Sequence, residues 1–282
     1  MINSEESRPG PARGLPVDAA GVAVPAGAHV VEARGVTKIF NRGKGNEVQA
    51  LLDIDLSVVP GEFVSLIGPS GCGKSTLLRL IAALIEPTAG AVTVNGKAAE
   101  QARRDRDYGM AFQQAGLFDW RSVAKNIELP LELMGWARED RRRRAAEMLE
   151  LVKLTEFADH HPAELSGGMQ QRVAIARALG FSPSLLLMDE PFGALDEMTR
   201  EHMQTELLRI WNDTRKTVVF VTHSIPEAVF LSTRVVVMSP RPGRLHATIG
   251  VDLGDRDEDT REDPAFFAKI TEVREALRAV ET

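Results

Sequence analysis

Residues 68–76 read GPSGCGKST, and their types and spacing suit the binding of a polyphosphate. They match G-x-x-x-x-G-K-[ST], with Gly68, Gly73, Lys74 and Ser75 at the fixed positions and Pro69, Ser70, Gly71 and Cys72 between them. Glycines let a backbone turn tightly and approach a ligand without a Cβ clash. Successive N–H groups form an anion nest, and a following helix N-terminus adds partial positive charge. Lys74 supplies a mobile full charge for the β- and γ-phosphates, the Ser75 hydroxyl is a hard oxygen ligand for Mg²⁺, and Thr76 completes the loop. A chance match in a chain of this length has a probability of roughly 1%. Cys72 has two readings, a thiolate stabilised by the helix N-terminus or a small spacer whose backbone binds the ligand. Either placement predicts that nucleotide shields it from alkylation.

A second group of chemistry-bearing residues ends the apolar run LLLMDE at 185–190. In parallel α/β sheets ligands sit at the carboxyl ends of strands, and the Lys74 loop also follows a strand end. Asp189 can then hold Mg²⁺, and Glu190 can act as general base on an attacking water. The competing reading is a polar strand cap.

Stepping outward, strand-like segments lie at 29–40, 50–59, 62–68 and 91–96, the last ending in an Asn-Gly turn. Leu77, Leu80, Ile81, Leu84 and Ile85 recur at helical spacing and predict a helix over 74–85 closed by Pro87. From about 113 to 170 strand signals stop, and Ala145, Met148, Leu149 and Val152 share one helical face, which marks a helical insert. Strands return at 185–190, 218–223 and 234–239 as aliphatic runs, expected of parallel strands buried on both faces. Helices between them imply an α/β sheet with right-handed crossovers. Residues 252–263 are acidic, and Asp263-Pro264 begins a short docking helix carrying Phe266, Ile270, Val273 and Leu277. Residues 1–28 hold four Pro, four Gly and no aromatic residue, so they read as a disordered tail.

Composition narrows the class. A net charge of −6 argues against a globally basic nucleic-acid binder. One cysteine in 282 residues allows no intrachain disulfide. The longest uncharged stretch, residues 19–31, is too short and too rich in Gly and Pro to span a bilayer, and the first residues carry no secretory signal pattern. A soluble cytoplasmic protein is expected. The four arginines at 141–144 spread around a helix circumference and read as a solvated helix start, with lipid headgroup contact as the lesser reading.

Between the two chemical groups stands LSGGMQQRVAIARAL at 165–179, flanked by FQQ at 112–114, GALD at 193–196 and VTHS at 221–224. In this order the motifs resemble the ATP-binding-cassette (ABC) transporter ATPases over residues 29–250. The resemblance implies an α/β fold: a phosphate-loop NTPase (ABC ATPase) core with a helical subdomain inserted at about 113–170 and an antiparallel β portion. It implies ATP and Mg²⁺ as ligands. It also implies a head-to-tail homodimer, in which Ser166, Gly167 and Gly168 cap the γ-phosphate held by the Lys74 loop of a second copy. Gln113 resembles the glutamine that approaches Mg²⁺ and the attacking water, and His223 the histidine that contacts the γ-phosphate. Asp196 resembles the aspartate linking the two sites. Phe40 stands where an aromatic ring stacks on adenine, with a core phenylalanine as the alternative. Ala83 departs from the family, which commonly has Gly there, and Asp119 stands where Pro is frequent.

MDEPFGALDEMTREHMQTELLRIW and VVVMSPRPGRL resemble the importer branch handling nitrate, taurine, sulfonates and pyrimidine-type precursors. The resemblance implies separate transmembrane permease subunits, an extracytoplasmic solute-binding protein and a peripheral position on the cytoplasmic face of the inner membrane. Leu117, Phe118 and Trp120 are read as lining a groove for a permease helix, or as ordinary core packing. The competing functions are a non-transport soluble ABC ATPase and a nucleotide-dependent regulatory module.

Overall fold

The structure is a computed structural model and describes residues 29–193, 195–257 and 259–281. The expected disordered tail lies outside the described residues. In chain order, β1 (Val31–Phe40), β2 (Val48–Val58) and β3 (Phe63–Ile67) lead into α1 (Lys74–Ile81). Then come β4 (Ala89–Val94), β5 (Lys97–Ala98), α2 (Ala99–Asp105) and β6 (Tyr108–Phe112). Three helices follow, α3 (Val123–Leu133), α4 (Arg138–Leu151) and α5 (Gly167–Leu179). The chain continues through β7 (Leu185–Asp189), α6 (Glu197–Thr214), β8 (Thr217–Val221) and α7 (Ile225–Leu231). It closes with β9 (Arg234–Met238), β10 (Leu245–Gly250) and α8 (Pro264–Glu281).

Two sheets result. The strand order β2-β1-β4-β5 forms an antiparallel sheet, and β10-β9-β3-β8-β7-β6 forms the central one. In the central sheet β9, β3, β8, β7 and β6 are parallel, and only the edge strand β10 runs antiparallel. Every residue of β3, β8 and β9 is buried. Alternate side chains serve opposite faces, as the twofold strand repeat requires. Phe63, Val218, Phe220, Val235 and Val237 face a core shared with α5, α6, α7 and α8. Val64, Leu66, Val219, Val221 and Val236 face a second core shared with α1 and the antiparallel sheet.

Three of the elements that differ from the sequence reading have a clear physical reason. The helix predicted over 74–85 ends at Ile81. Ala83 takes φ 46°, its N–H bonds Leu80 O at 3.0 Å, and Leu84 N–H bonds Arg79 O at 2.9 Å. This is a Schellman stop, so Leu84 turns out to solvent despite its helical spacing. Strand β6 has no clear signal because Gly109 interrupts YGMAF. A Cβ on Gly109 would stand 2.3 Å from Ala178 O, so the glycine is there to let α5 approach. Strand β10, LHATIG, lies at the sheet edge with alternating exposure and lacks an aliphatic run.

Helices α3 and α4 fall in the segment read as an insert, and Ala145, Met148, Leu149 and Val152 are all buried. The arginines at 141–144 diverge as their helical spacing demands. Arg142 pairs with Glu139 and Arg143 with Asp140, while Arg144 reaches Gly180 O at 2.8 Å and Ser182 Oγ at 2.7 Å. At α8, Asp263 Oδ1 accepts from Ala265 N–H at 2.7 Å, and Phe266, Ile270 and Val273 are buried. Among the described residues no helix is long and apolar enough to cross a membrane.

Candidate active site

The loop after β3 is shaped by its packing. A Cβ on Gly68 would stand 2.7 Å from Met238 O, and one on Gly73 would stand 2.5 Å from Leu51 Cδ2. Gly73, at φ 106°, caps α1, while Gly71, at φ 75°, has open space on its Cβ side. The backbone is therefore pressed against β2 and β9 on one side and bare on the other, where a ligand can approach. Lys74 Nζ bonds the carbonyls of Gly68 at 2.8 Å and Pro69 at 3.1 Å, which folds its charge over the loop. Cys72 is fully buried in the second core, so the alkylation expectation is corrected. The protein itself covers this thiol, and only its backbone belongs to the loop surface.

Parallel pairing brings the other groups to the same sheet end. Phe112 of β6 pairs with Asp189 of β7, and Asp189 with Val221 of β8, so Gln113, Glu190 and Thr222 emerge side by side. Ser75 Oγ donates to Asp189 Oδ1 at 2.7 Å. These are hard oxygen donors at the wall of a cleft of about 570 Å³ that Gln113, Arg79 and Glu190 also line. The donor set fits Mg²⁺. Among the described residues no cluster of three His, Cys, Asp or Glu could form a metal cage alone, and Mg²⁺ is characteristically held by one or two protein oxygens plus substrate phosphate.

Glu190 adopts φ 47°, a left-handed conformation that costs an ordinary residue about 1–2 kcal/mol. Its N–H bonds Val221 O at 3.0 Å, and its Oε2 lies 3.1 Å from His223 Nδ1. Glu190 also lines a neighbouring cleft of about 350 Å³, with Phe40, Ala50, Gly71, Lys74 and Arg241 around it. Phe40 is half-buried at that wall rather than packed in the core.

Ser166, Gly167, Gly168 and Asp196 are not in these clefts. Ser166 caps α5 by accepting from Met169 N–H at 3.3 Å, and a Cβ on Gly168 would stand 3.0 Å from Thr199 Cγ2 of α6. Ser166 and Gly168 border a separate cleft of about 280 Å³ with Thr199 and His202. Asp196 caps α6 by accepting from Thr199 N–H at 3.0 Å. That backbone hydrogen bond holds its carboxyl below the usual range.

Sequence reasoning missed two groups. Arg241 lay in SPRPGR, a string read only for its branch. The chain folds it over the phosphate loop: Gly243 N–H bonds Ala50 O at 2.9 Å, and a Cβ on Gly243 would overlap Cys72 O. Arg241 is exposed and makes no hydrogen bond or ion pair among the described residues. Its signal was a cation in a Pro-Gly turn, which does not say what the turn touches. Glu227 is buried behind His223, bonded by Thr222 and by Gln204 at 3.2 Å. Burial pushes its carboxyl above the ordinary glutamate range.

The geometry agrees with the comparisons. The family described as ABC transporter matches residues 51–193. An ABC transporter ATP-binding protein of Methanocaldococcus jannaschii is 50% identical over 79% of this chain and 82% of its own. The taurine import ATP-binding protein TauB of Rhizobium johnstonii is 49% identical over 84% of this chain and 90% of its own. A dimeric ATP-binding cassette solved in a post-hydrolysis state with ADP and Pi superposes with a TM-score of 0.68 and 36% identity, covering 79% of this chain and 99% of that one. With the phosphate loop, the carboxylates and the parallel core in the arrangement described, the chain belongs to the ABC transporter family, among its ATP-binding subunits.

Proposed function

We propose that this chain hydrolyses ATP to drive import of a small solute through separate membrane subunits. The observation that carries the reading is the convergence of Lys74, Ser75, Asp189, Glu190 and His223 at one end of the parallel sheet. The loop amides and Lys74 bind the triphosphate, and Phe40 stacks on adenine. Ser75 and Asp189, with Gln113 beside them, would hold Mg²⁺, which when bound supplies positive charge to the phosphate oxygens. Glu190 accepts a proton from the attacking water as the new O–P bond forms and the bond to the leaving ADP breaks. His223 holds Glu190 in place from one side and faces the γ-phosphate from the other.

Ser166 and Gly167 are exposed at the start of α5, outside the chain's own nucleotide cleft, which supports their use by a second copy. A helix N-terminus with a free face suits the γ-phosphate of a neighbour's ATP. The nucleotide then forms part of a twofold interface, and closure follows from tighter binding of ATP to the closed dimer. The likeness to TauB and the two subfamily strings support a solute of the nitrate, sulfonate or taurine type, including pyrimidine precursors. The working position is peripheral, on the cytoplasmic face of the membrane, beneath a permease supplied by an extracytoplasmic binding protein.

The test is Glu190→Gln in the full chain. ATP binding should persist, phosphate release should stop, and Mg-ATP should produce a dimer by light scattering. Normal phosphate release, or a variant that stays monomeric with saturating Mg-ATP even beside its permease, overturns the reading.

A further inference from the structure

We infer that the C-terminal segment, residues 251–281, braces His223 and so sets the rate of hydrolysis. The inference rests on the role proposed for Glu190 and His223. The side chain of His223 is 64% exposed, so its own packing does little to hold it. Its place is set by Thr222 before it and by Ser224 and α7 after it. Ser224 N–H bonds Thr222 Oγ1 at 3.0 Å, and Ser224 Oγ caps α7 at Glu227 N–H, at 3.4 Å.

The tail grips α7 at one residue in three ways. Arg256 Nη1 donates to Phe230 O at 3.0 Å, the Arg261 guanidinium lies 3.6 Å over the Phe230 ring, and Phe266 meets that ring edge-on at 6.4 Å. A polar chain runs from the same segment to Thr222, the residue before the histidine. Arg261 Nη2 donates to Gln204 Oε1 at 2.9 Å, Gln204 Nε2 donates to Glu227 Oε1 at 3.2 Å, and Thr222 Oγ1 bonds Glu227 Oε2. Thr222, Gln204 and Glu227 are all buried. A side-chain amide has one donor end and one acceptor end, so Arg261 decides which end Gln204 turns to Glu227. Without that cation the amide can turn, and its acceptor end then faces the Glu227 carboxyl among buried groups. The loss is transmitted to Thr222, one residue from His223. Residues 251–281 are thus a positioning element for hydrolysis, and Arg261 is its contact with the network.

The test measures steady-state phosphate release in the full chain for Arg261→Ala, Arg261→Lys and Gln204→Met, each also in a His223→Ala background. Arg261→Ala should lower kcat by about 3–30-fold, the range of coupling through such networks. KM for ATP should stay within about twofold, since no binding group is touched. Arg261→Lys should recover part of the loss, and Gln204→Met should reproduce it if Arg261→Ala proves poorly folded. Once His223 is absent, the Arg261 and Gln204 substitutions should have no further effect, because they act through it. An unchanged kcat, a KM that rises in step, or a full additional loss in the His223→Ala background overturns the inference. A wild-type chain without ATPase activity would instead strike the proposed function.

Discussion

Glu190 Oε2 and His223 Nδ1 lie 3.1 Å apart, joining the end of β7 to the turn after β8. Glu190 reaches this contact from a left-handed backbone, with its N–H held by Val221 O. The residue proposed to take the proton from water is therefore aimed by two parallel strands and one histidine. His223→Ala removes this orienting contact and leaves Lys74 and the loop intact. Turnover should fall by about 10²-fold or more, while the ATP dissociation constant changes little. Single-turnover phosphate release with equilibrium nucleotide titration checks both. An equal loss in affinity and rate would count against the assignment.

Arg241, without a hydrogen bond or ion pair among the described residues, lines the cleft proposed to hold the nucleotide, on a turn seated against the Lys74 loop. Arg241→Ala should weaken ATP binding by about 0.2–1 kcal/mol, the range of an exposed ion pair. The loss should shrink as salt is raised. Calorimetric titrations at two ionic strengths are the check, and unchanged affinity at low salt would remove Arg241 from the site.

Phe118 and Trp120 touch each other at 4.8 Å between ring centroids and are 36% and 74% exposed. The structure thus removes the core-packing reading for Trp120, while Leu117 is partly buried against the main core. Alanine at both aromatic positions should leave the thermal midpoint and ATP binding near wild type and weaken co-purification with the membrane subunit. Unaltered co-purification would place the permease contact elsewhere.

Ala83 holds the left-handed position of the stop after α1, where a Cβ is strained and glycine is not. Ala83→Gly should raise stability by about 0.5–1 kcal/mol, because relief of strain outweighs the added chain entropy. Urea unfolding should show a higher midpoint with an unchanged slope.

The buried Glu227 carries a folded-state pKa raised above its unfolded value by desolvation. In the interval between those two values the native state binds more protons than the unfolded state. Its contribution to stability is therefore full at acidic pH and is lost as pH rises through that interval. Glu227→Gln removes this dependence and keeps hydrogen-bonding ends for Thr222 and Gln204. The stability of the variant relative to wild type should increase from about pH 4 to neutral. A difference that stays flat with pH would mean that Glu227 titrates normally.

Much of the chemistry was legible because it is local. GPSGCGKST states its own loop, LLLMDE its strand and carboxylates, and the runs at 218–223 and 234–239 the strands β8 and β9, buried on both faces. Each signal needs only neighbours in the chain. The losses came where distant segments decide the outcome. Gly109 hides β6 because α5 presses on it, and Ala83 ends α1 through backbone geometry that helical spacing does not record. Arg241 reaches the cleft it shares with Lys74 only because its turn packs on Ala50 and Cys72. The line from Arg261 through Gln204 and Glu227 to Thr222 joins four elements whose polar groups are buried together and must satisfy one another. The amino-acid sequence by itself determined which groups could handle phosphate. Tertiary packing decided how those groups are aimed, since close approach and the pairing of buried polar atoms are properties of surfaces that meet only after folding.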